Sequence, residues 1–91
     1  METIIKGVKR LDSNTYADFD RQVEEASNGD FDRIVIDLAD TQYISSICLR
    51  VLLKGFKKMR AKNGEFVLRN VQPTVLEVLE ITGFAGGFII E

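Results

Sequence analysis

The sequence predicts an α/β domain with a small mixed, largely parallel sheet of four or five strands and helices mainly on one face. Three observations support this fold class. Short apolar runs alternate with amphipathic stretches along the chain, and the run RIVIDL at 33–38 has the β-branched composition of a strand buried on both faces. The length of 91 residues and the hydrophobic content of 45% suit a small core, so residues 1–91 are expected to form a single domain.

The first half of the chain predicts a strand, a helix and then the central strand. Residues 3–11 mix apolar and charged side chains, which indicates a short, partly exposed strand with Gly7 as its weak point. Behind the capping segment LDSNT, apolar residues recur at spacings of three and four, as in an amphipathic helix. Gly29 is expected to end this helix in a left-handed conformation. The predicted core face of the helix consists of Tyr16, Phe19, Val23 and Ala26.

The second half predicts two further helices and two strands. After the connection ADTQ, a helix over 46–62 buries a broad apolar face and is closed by Gly64, again at positive φ. The run EFVLRN at 65–70 is the next strand. A third helix covers 73–83, with proline at its first position and glycine as its stop, and 88–90 form a short terminal strand. The predicted core face of the third helix is Val75, Leu76, Val78 and Leu79.

Composition excludes several classes of function. The formal charge is −2, from 12 Lys+Arg against 14 Asp+Glu, so we expect no general electrostatic binding of nucleic acid. The sequence has no histidine, which rules out Ser/His and Cys/His nucleophile pairs and imidazole-based zinc sites. It also lacks the glycine-rich loops that bind phosphates. The sequence therefore predicts a protein that is not an enzyme and that needs no cofactor or metal.

The chain also has the features expected of a cytoplasmic protein. No apolar stretch approaches the roughly 20 residues that span a bilayer, and the first residues do not resemble a signal peptide. Cys48 is the single cysteine, so an internal disulfide cannot form. We therefore expect a cytoplasmic location and no insertion into membranes.

Two adjacent serines, Ser45 and Ser46, stand where a strand gives way to the second helix. Either could serve only structure, Ser46 as the helix N-cap and Ser45 as a turn hydroxyl. Cys48 is expected to pack as a small apolar residue, and Ile47 is expected either to tuck under the 39–43 loop or to anchor an interface. The remaining polar residues nearby have ordinary structural interpretations as turn carboxylates or a solvated helix face: Asp37, Asp40, Arg50, Lys54 and Lys57.

Two long segments of the chain carry a family resemblance, IVIDLADTQYISSICLRVLLKGFKKM and GEFVLRNVQPTVLEVLEITGF. They resemble the STAS domain family, and within it the single-domain anti-sigma factor antagonists. Together with LDSNT they extend the resemblance over roughly residues 4–90. The resemblance implies a four- or five-stranded sheet and a function in regulated protein binding.

The family motif around the second helix is D-S-[SAT]-G-L, in which the first serine is the phosphoacceptor. Laid over this chain, the motif places Ser45 at the Asp, Ser46 at the acceptor, Ile47 at the small residue and Cys48 at the Gly. The acceptor is retained, while the two residues after it are bulkier than the family pattern. The resemblance therefore implies phosphorylation at Ser46, less favourably at Ser45.

The resemblance also implies partners. They are an anti-sigma factor that is a serine kinase and a PP2C-type phosphatase that reverses the modification. The expected partner-binding residues are Ser45, Ser46, Ile47, Arg50 and Lys54. The alternative function is a non-phosphorylated STAS scaffold subunit of a larger assembly, such as a lipid-transport ABC complex, which Ile47 and Cys48 would favour by permanent apolar contact. The family's first edge strand is missing from the sequence, so an exposed sheet edge and a homodimer through it are further expectations.

Overall fold

The computed structural model describes the backbone of residues 1–91 and every side chain except those of residues 84 and 85. The strands are β1 (Glu2–Lys6), β2 (Arg10–Leu11), β3 (Arg33–Asp37), β4 (Tyr43–Ile44), β5 (Glu65–Arg69) and β6 (Ile89–Ile90). The helices are α1 (Tyr16–Ser27), α2 (Ser46–Ala61) and α3 (Pro73–Ile81), and a 3-10 turn covers Phe84–Gly87.

The main sheet has four strands in the order β1-β3-β5-β6, and its three strand pairs are all parallel. Each crossover moves one strand along the sheet in the same direction. Because such connections are right-handed, α1, α2 and α3 lie on the same face. The predicted α/β class, the strand number and the one-sided helix layer are therefore confirmed, although no antiparallel pair occurs among the described strands.

The core lies between this face and the helices. Alternate residues of β3 and β5 point toward the helices, because side chains in a strand change face at every residue. On α3, Val75 and Leu79 are buried as predicted, while Leu76 and Val78 are half-buried. Other buried side chains of this layer include Leu11, Phe19, Val23, Ile34, Ile36, Leu52, Met59, Phe66 and Leu68.

None of the helices formed by the described residues covers the opposite face of the sheet, yet Val35 and Val67 at its centre are fully buried. Arg33 lies on the same face and forms ion pairs with Glu2 (2.8 Å), Glu65 (2.7 Å) and Glu91. The Glu91 carboxylate in turn accepts a hydrogen bond from Arg69. Arg33 and Arg69 lie two residues from Val35 and Val67 on this face, since side chains two apart in a strand share a face.

The N-terminal segment forms two strands, so the prediction of one strand over 3–11 was wrong. The chain turns at Gly7, where an added Cβ would lie 2.6 Å from Thr41 Oγ1 and 2.9 Å from Leu38 Cδ2. Thr41 donates a hydrogen bond to the Val8 carbonyl at 2.8 Å. Beyond this contact the chain leaves the main sheet, and Arg10–Leu11 pairs with Tyr43–Ile44 as a separate two-stranded sheet.

Two expectations about positive φ were also wrong. Neither Gly29 nor Gly64 has positive φ. At the end of α2 the left-handed residue is Asn63, with φ of 61°, and asparagine tolerates this conformation better than most residues do. Gly64 instead occupies a tight space, where an added Cβ would lie 2.7 Å from Met59 Cε and 3.0 Å from the Asp32 carbonyl oxygen. Gly83 does adopt positive φ, at 80°, as expected of a helix stop.

Asp37 at the end of β3 has the structural role predicted from the sequence. Its carboxylate accepts hydrogen bonds from Ala39 N at 3.0 Å and from Asn70 Nδ2 at 3.2 Å. The Ala39 bond is the main cause that lowers the pKa of Asp37 from 3.8. Since the folded pKa is depressed, this stabilisation is complete above pH 3.8 and is lost as the pH falls through the folded pKa.

We therefore expect the Asp37→Asn variant to be less stable than wild type at pH 7. The difference in free energy of unfolding between the two proteins should shrink as the pH falls below about 4, because the wild-type carboxyl then also becomes neutral. Urea denaturation of both proteins between pH 7 and pH 3 measures the difference. A gap that stayed constant over this range would contradict the role of the carboxylate charge.

Candidate functional site

The entry to α2 is fixed against the segment that precedes α1. In the small parallel sheet, Arg10 pairs with Tyr43 and Leu11 with Ile44. Ser45 N then donates a hydrogen bond to the Leu11 carbonyl at 2.8 Å. The start of the second helix is therefore held by backbone contacts to a distant part of the chain, which places its first residues in a defined position at the surface.

Ser45 is the N-cap of α2, so the prediction of Ser46 as N-cap was wrong. Ser45 has an extended backbone, with φ of −88° and ψ of 166°, and its carbonyl accepts the first helical hydrogen bond from Leu49 N at 3.0 Å. Its side chain makes no capping hydrogen bond. The Ser45 Oγ is buried and, among the described residues, has no partner at hydrogen-bonding geometry.

The buried, unpaired hydroxyl of Ser45 leads to a prediction about the stability of the Ser45→Ala variant. We expect the Ser45→Ala variant to be as stable as wild type or more stable, by up to about 1 kcal/mol, because it removes a buried polar group that has no partner. Free energies of unfolding from urea denaturation provide the comparison. A loss of more than about 1 kcal/mol would mean that this hydroxyl caps the helix.

Ser46 is the first helical residue and is exposed. The two serines therefore differ in access: the Ser46 side chain faces solvent, whereas the Ser45 hydroxyl is buried. Free backbone N–H groups at a helix N-terminus favour an anion nearby. Arg50 lies one turn along the same face of α2, since residues four apart in a helix are neighbours. The surroundings of Ser46 can accept a negative charge without loss of the fold.

A shallow groove between α1 and α2 lies next to Ser46. Ile47 is 37% exposed at the mouth of the groove, so it is not tucked under the 39–43 loop. Lys54 forms ion pairs with Asp20 (2.7 Å) and Glu24 (3.1 Å) across the groove, whereas Arg50 is in no ion pair within the described part of the chain. The residues that line the groove are Tyr16, Asp20, Ile47, Arg50, Val51 and Lys54.

The structure thus brings Ser46, Ile47, Arg50 and Lys54 together on one surface, as the sequence predicts. It leaves Ser45 beneath that surface, with only part of its side chain accessible. It also keeps Lys54 in contact with α1, so that Arg50 is the freer of the two cations. We use the name α2 surface for Ser46 together with the residues that line the groove.

Sequence analysis missed four residues of this region. Tyr16 and Asp20 line the groove from α1, and the Arg10 guanidinium lies 4.5 Å from the centre of the exposed Tyr43 ring. Arg10 also forms an ion pair with Asp12 at 3.3 Å. Tyr43 is the β4 residue that pairs with Arg10, and an aromatic residue just before the helix entry is a signal that could have indicated an exposed contact. The pairing with Arg10 depends on the unpredicted small sheet.

Cys48 is fully buried at the start of α2, as expected of a small apolar residue. Its thiol lies 3.8 Å from the Asp12 carbonyl oxygen. Burial raises the pKa of the Cys48 thiol. A buried thiol in its protonated form is a poor nucleophile. Cys48 therefore cannot contact a partner directly, although its position in the motif suggested that it could.

Two further observations concern chemistry in the described part of the chain. No group of three or more Cys, Asp or Glu side chains is arranged to hold a metal ion there. None of the helices formed by those residues has the length and apolar character needed to cross a membrane.

The fold and the α2 surface define a class of protein, a small α/β module with a hydroxyl residue exposed at the start of its second helix. The model of the STAS domain family matches residues 2–91. The chain belongs to the STAS domain family. The resemblance noted in the sequence is thereby confirmed.

Among related sequences, the chain is 48% identical over 56 residues to BtrV of Bordetella bronchiseptica, which is named as a candidate anti-sigma factor antagonist. The matched segment is 62% of this chain and 48% of BtrV, so it spans about half the length of that relative.

Solved structures share the fold. A candidate anti-sigma factor antagonist from Thermotoga maritima superposes with a TM-score of 0.89 at 24% identity, covering 98% of this chain and 77% of the other. An anti-sigma factor antagonist domain protein from Planctomyces limnophilus gives 0.88 at 24%, with 97% and 80% covered. The unphosphorylated form of the antagonist SpoIIAA gives 0.84 at 19%, with 99% and 79% covered.

Proposed function

We propose that this protein is an anti-sigma factor antagonist that acts in the cytoplasm. It binds an anti-sigma factor that is also a serine kinase, and the binding frees a sigma factor. Phosphorylation of Ser46 ends the binding, and a PP2C-type phosphatase restores it. The domain itself has no catalytic role in this cycle, because the kinase and the phosphatase supply the chemistry.

Membership of the family and the likeness to BtrV support the antagonist function. The observation that carries the proposal is the exposed Ser46 at the first position of α2, beside a groove with both apolar and charged side chains. Interfaces of standard type combine such an apolar centre with a polar rim. In this proposal Ile47 is the apolar contact, Arg50 binds an acidic group of the partner, and Ser45 and Lys54 hold the surface in shape.

Phosphorylation would act on the interface and leave the fold intact. A phosphate adds about −1.5 to −2 charge units to Ser46. The helix N-terminus and Arg50 stabilise that charge within the domain. In the complex, the same charge must lose its water or repel acidic groups of the partner, either of which weakens binding.

The α2 surface is tested with the Arg50→Glu variant, which reverses the charge of the cation one helical turn from Ser46. The immobilised domain captures partners from lysate of its own host, and mass spectrometry identifies them. We expect wild type to retain an anti-sigma factor with a serine-kinase domain, and Arg50→Glu to bind the purified partner at least about tenfold more weakly. Arg60→Glu, an equal change at the exposed far end of α2, should bind as wild type does.

Equal binding by wild type and Arg50→Glu would contradict the α2 surface as the docking site. Failure of the domain to bind any purified kinase-type anti-sigma factor of its host would contradict the function itself.

The scaffold alternative keeps one supporting observation, the exposed apolar side chain of Ile47. The second argument for it is lost, because Cys48 is buried and cannot contribute to a permanent apolar contact. A scaffold subunit would co-purify with an ATPase and would bind it equally well after a negative charge is placed at Ser46. The anti-sigma factor antagonist therefore remains the better supported function.

A further inference from the structure

Strand β1 forms an outer edge of the main sheet, and nothing in the described residues pairs with its outer side. The directions of its backbone groups follow from two contacts with the neighbouring segment. Gly7 N donates to the Asp37 carbonyl at 2.8 Å, and Asp32 N donates to the Met1 carbonyl at 3.0 Å. In a parallel pair, alternate residues direct both backbone groups to the same neighbour. Odd-numbered residues therefore face β3, and the N–H and C=O groups of Glu2, Ile4 and Lys6 point outward.

The side chains of the same three residues share the face of the sheet that has no helix. All three are exposed, and Ile4 has 49% of its surface accessible. Ile4 continues the apolar row of that face, because the register aligns Ile4 with Val35 and Val35 with Val67. The apolar row therefore ends at an exposed isoleucine on an open edge.

The sequence of β1 is complementary to itself in one antiparallel register. If a second copy pairs with β1 about a two-fold axis at Ile4, Ile4 lies opposite Ile4 and each Glu2 lies opposite a Lys6. Opposite charges at directly facing positions stabilise a strand pair, and like charges destabilise it. Lys6 is in no ion pair within the described part of the chain, although it lies beside Asp37 in the neighbouring strand. Glu2 pairs with Arg33 at 2.8 Å, so Lys6 of another copy would add a second cation to that carboxylate. A shift of two residues would lose both charge pairs.

We propose that β1 is a homodimer interface, at which two copies join their sheets by antiparallel β1 pairing centred on Ile4. The outward backbone groups of Glu2, Ile4 and Lys6 form the new ladder, and the four strands of each copy become a continuous eight-stranded sheet. A groove open to solvent runs between β1 and α1 and is lined partly by Gln22, Glu25 and Phe31. The α2 surface stays accessible in both copies, because α2 packs on α1 and β5.

The interface is short, so we expect a weak dimer that forms at protein concentrations of roughly 0.1 mM and above. Sedimentation equilibrium on wild type should show a mass that rises with concentration from 10.3 kDa toward twice that value. The amides of Ile4 and Lys6 should exchange hydrogen more slowly in the concentrated sample than in the dilute one.

Charge reversal tests the register. Lys6→Glu places like negative charges opposite each other, and Glu2→Lys places like positive charges opposite each other, so each variant alone should dimerise at least about tenfold more weakly. An equimolar mixture of the two should dimerise as wild type does, because both facing pairs are then of opposite sign. Lys9→Glu, the same charge change outside the strand, should leave dimerisation unchanged.

Several outcomes would overturn the proposal. A wild-type protein that stays monomeric up to about 1 mM would overturn it. This holds both for an uncovered β1 and for a β1 covered by another segment of its own chain. Dimers that persist equally in Lys6→Glu would also overturn it, as would a mixture of the two variants that stays as weak as each variant alone. The two proposals can be tested separately. If charge reversal abolishes the dimer and leaves capture of an anti-sigma factor unchanged, dimerisation is independent of the proposed function.

Discussion

The Ser46→Asp variant is expected to fold normally and to bind the anti-sigma factor at least about tenfold more weakly than wild type. The exposed side chain of the first residue of α2 can carry a negative charge without burial, and a carboxylate near a helix N-terminus is favourable. In the complex, that charge lies within the interface. The loss should therefore appear in the affinity, measured by calorimetry, while the free energy of unfolding stays the same or rises slightly.

Ser46→Asn is the matched control for this variant. Asparagine has nearly the same shape as aspartate but no charge, so it should bind within about threefold of wild type if charge is what prevents docking. Ser46→Ala should bind as wild type does and resist inactivation by the kinase. If Ser46→Asn and Ser46→Asp lowered the affinity equally, the size of the side chain would matter and its charge would not. That result would contradict control of binding by the phosphate charge at Ser46.

The Gly55→Val variant is expected to lose at least about 2 kcal/mol of folding stability. Gly55 lies where α2 crosses α1 and β5, and an added Cβ would be 2.7 Å from both Val23 Cγ1 and Phe66 Cε2. Those atoms belong to buried side chains of the core, so they have little room to move. The helices must separate, and the groove between them must change shape as a result.

Lys57→Val measures the cost of valine at an exposed position of the same helix. Glycine has a lower helix propensity than valine, so a loss of stability at Gly55 cannot be a propensity effect. Lys57→Val should cost less than about 1 kcal/mol in free energy of unfolding, measured by urea denaturation. A Gly55→Val protein as stable as the Lys57→Val protein would mean that α1 and α2 do not meet closely at Gly55.

The element order could be predicted because each long element has a clear hydrophobic period. RIVIDL and EFVLRN form the central strands, and the helices begin and end within a few residues of their predicted bounds. The small β2–β4 sheet could not be predicted. It has only two residues in each strand, and it depends on the fit of Gly7 against Thr41 and Leu38, which are remote in sequence. The network on the open face is equally non-local, since Arg33 joins carboxylates from three other strands or segments.

The candidate site was predictable in part. The motif identified the surface around Ser46, Ile47 and Arg50, which the fold brings together. The roles of the two serines could not be separated by sequence, because a shift of one residue decides which is the N-cap and which is exposed. That choice depends on Ser45 N binding the Leu11 carbonyl, a contact made by the unpredicted sheet. The contribution of Tyr16 and Asp20 likewise depends on the packing of α1 against α2.

Mapping of phosphate on the domain tests the central claim most directly. The purified complex with the captured anti-sigma factor is incubated with Mg-ATP, and phosphorylated sites and bound partner are measured over time. We expect phosphate on Ser46, none on the buried Ser45, and loss of partner in proportion to the phosphate gained. A partner that stays bound while Ser46 is phosphorylated, or that leaves while Ser46 is unmodified, would contradict the account.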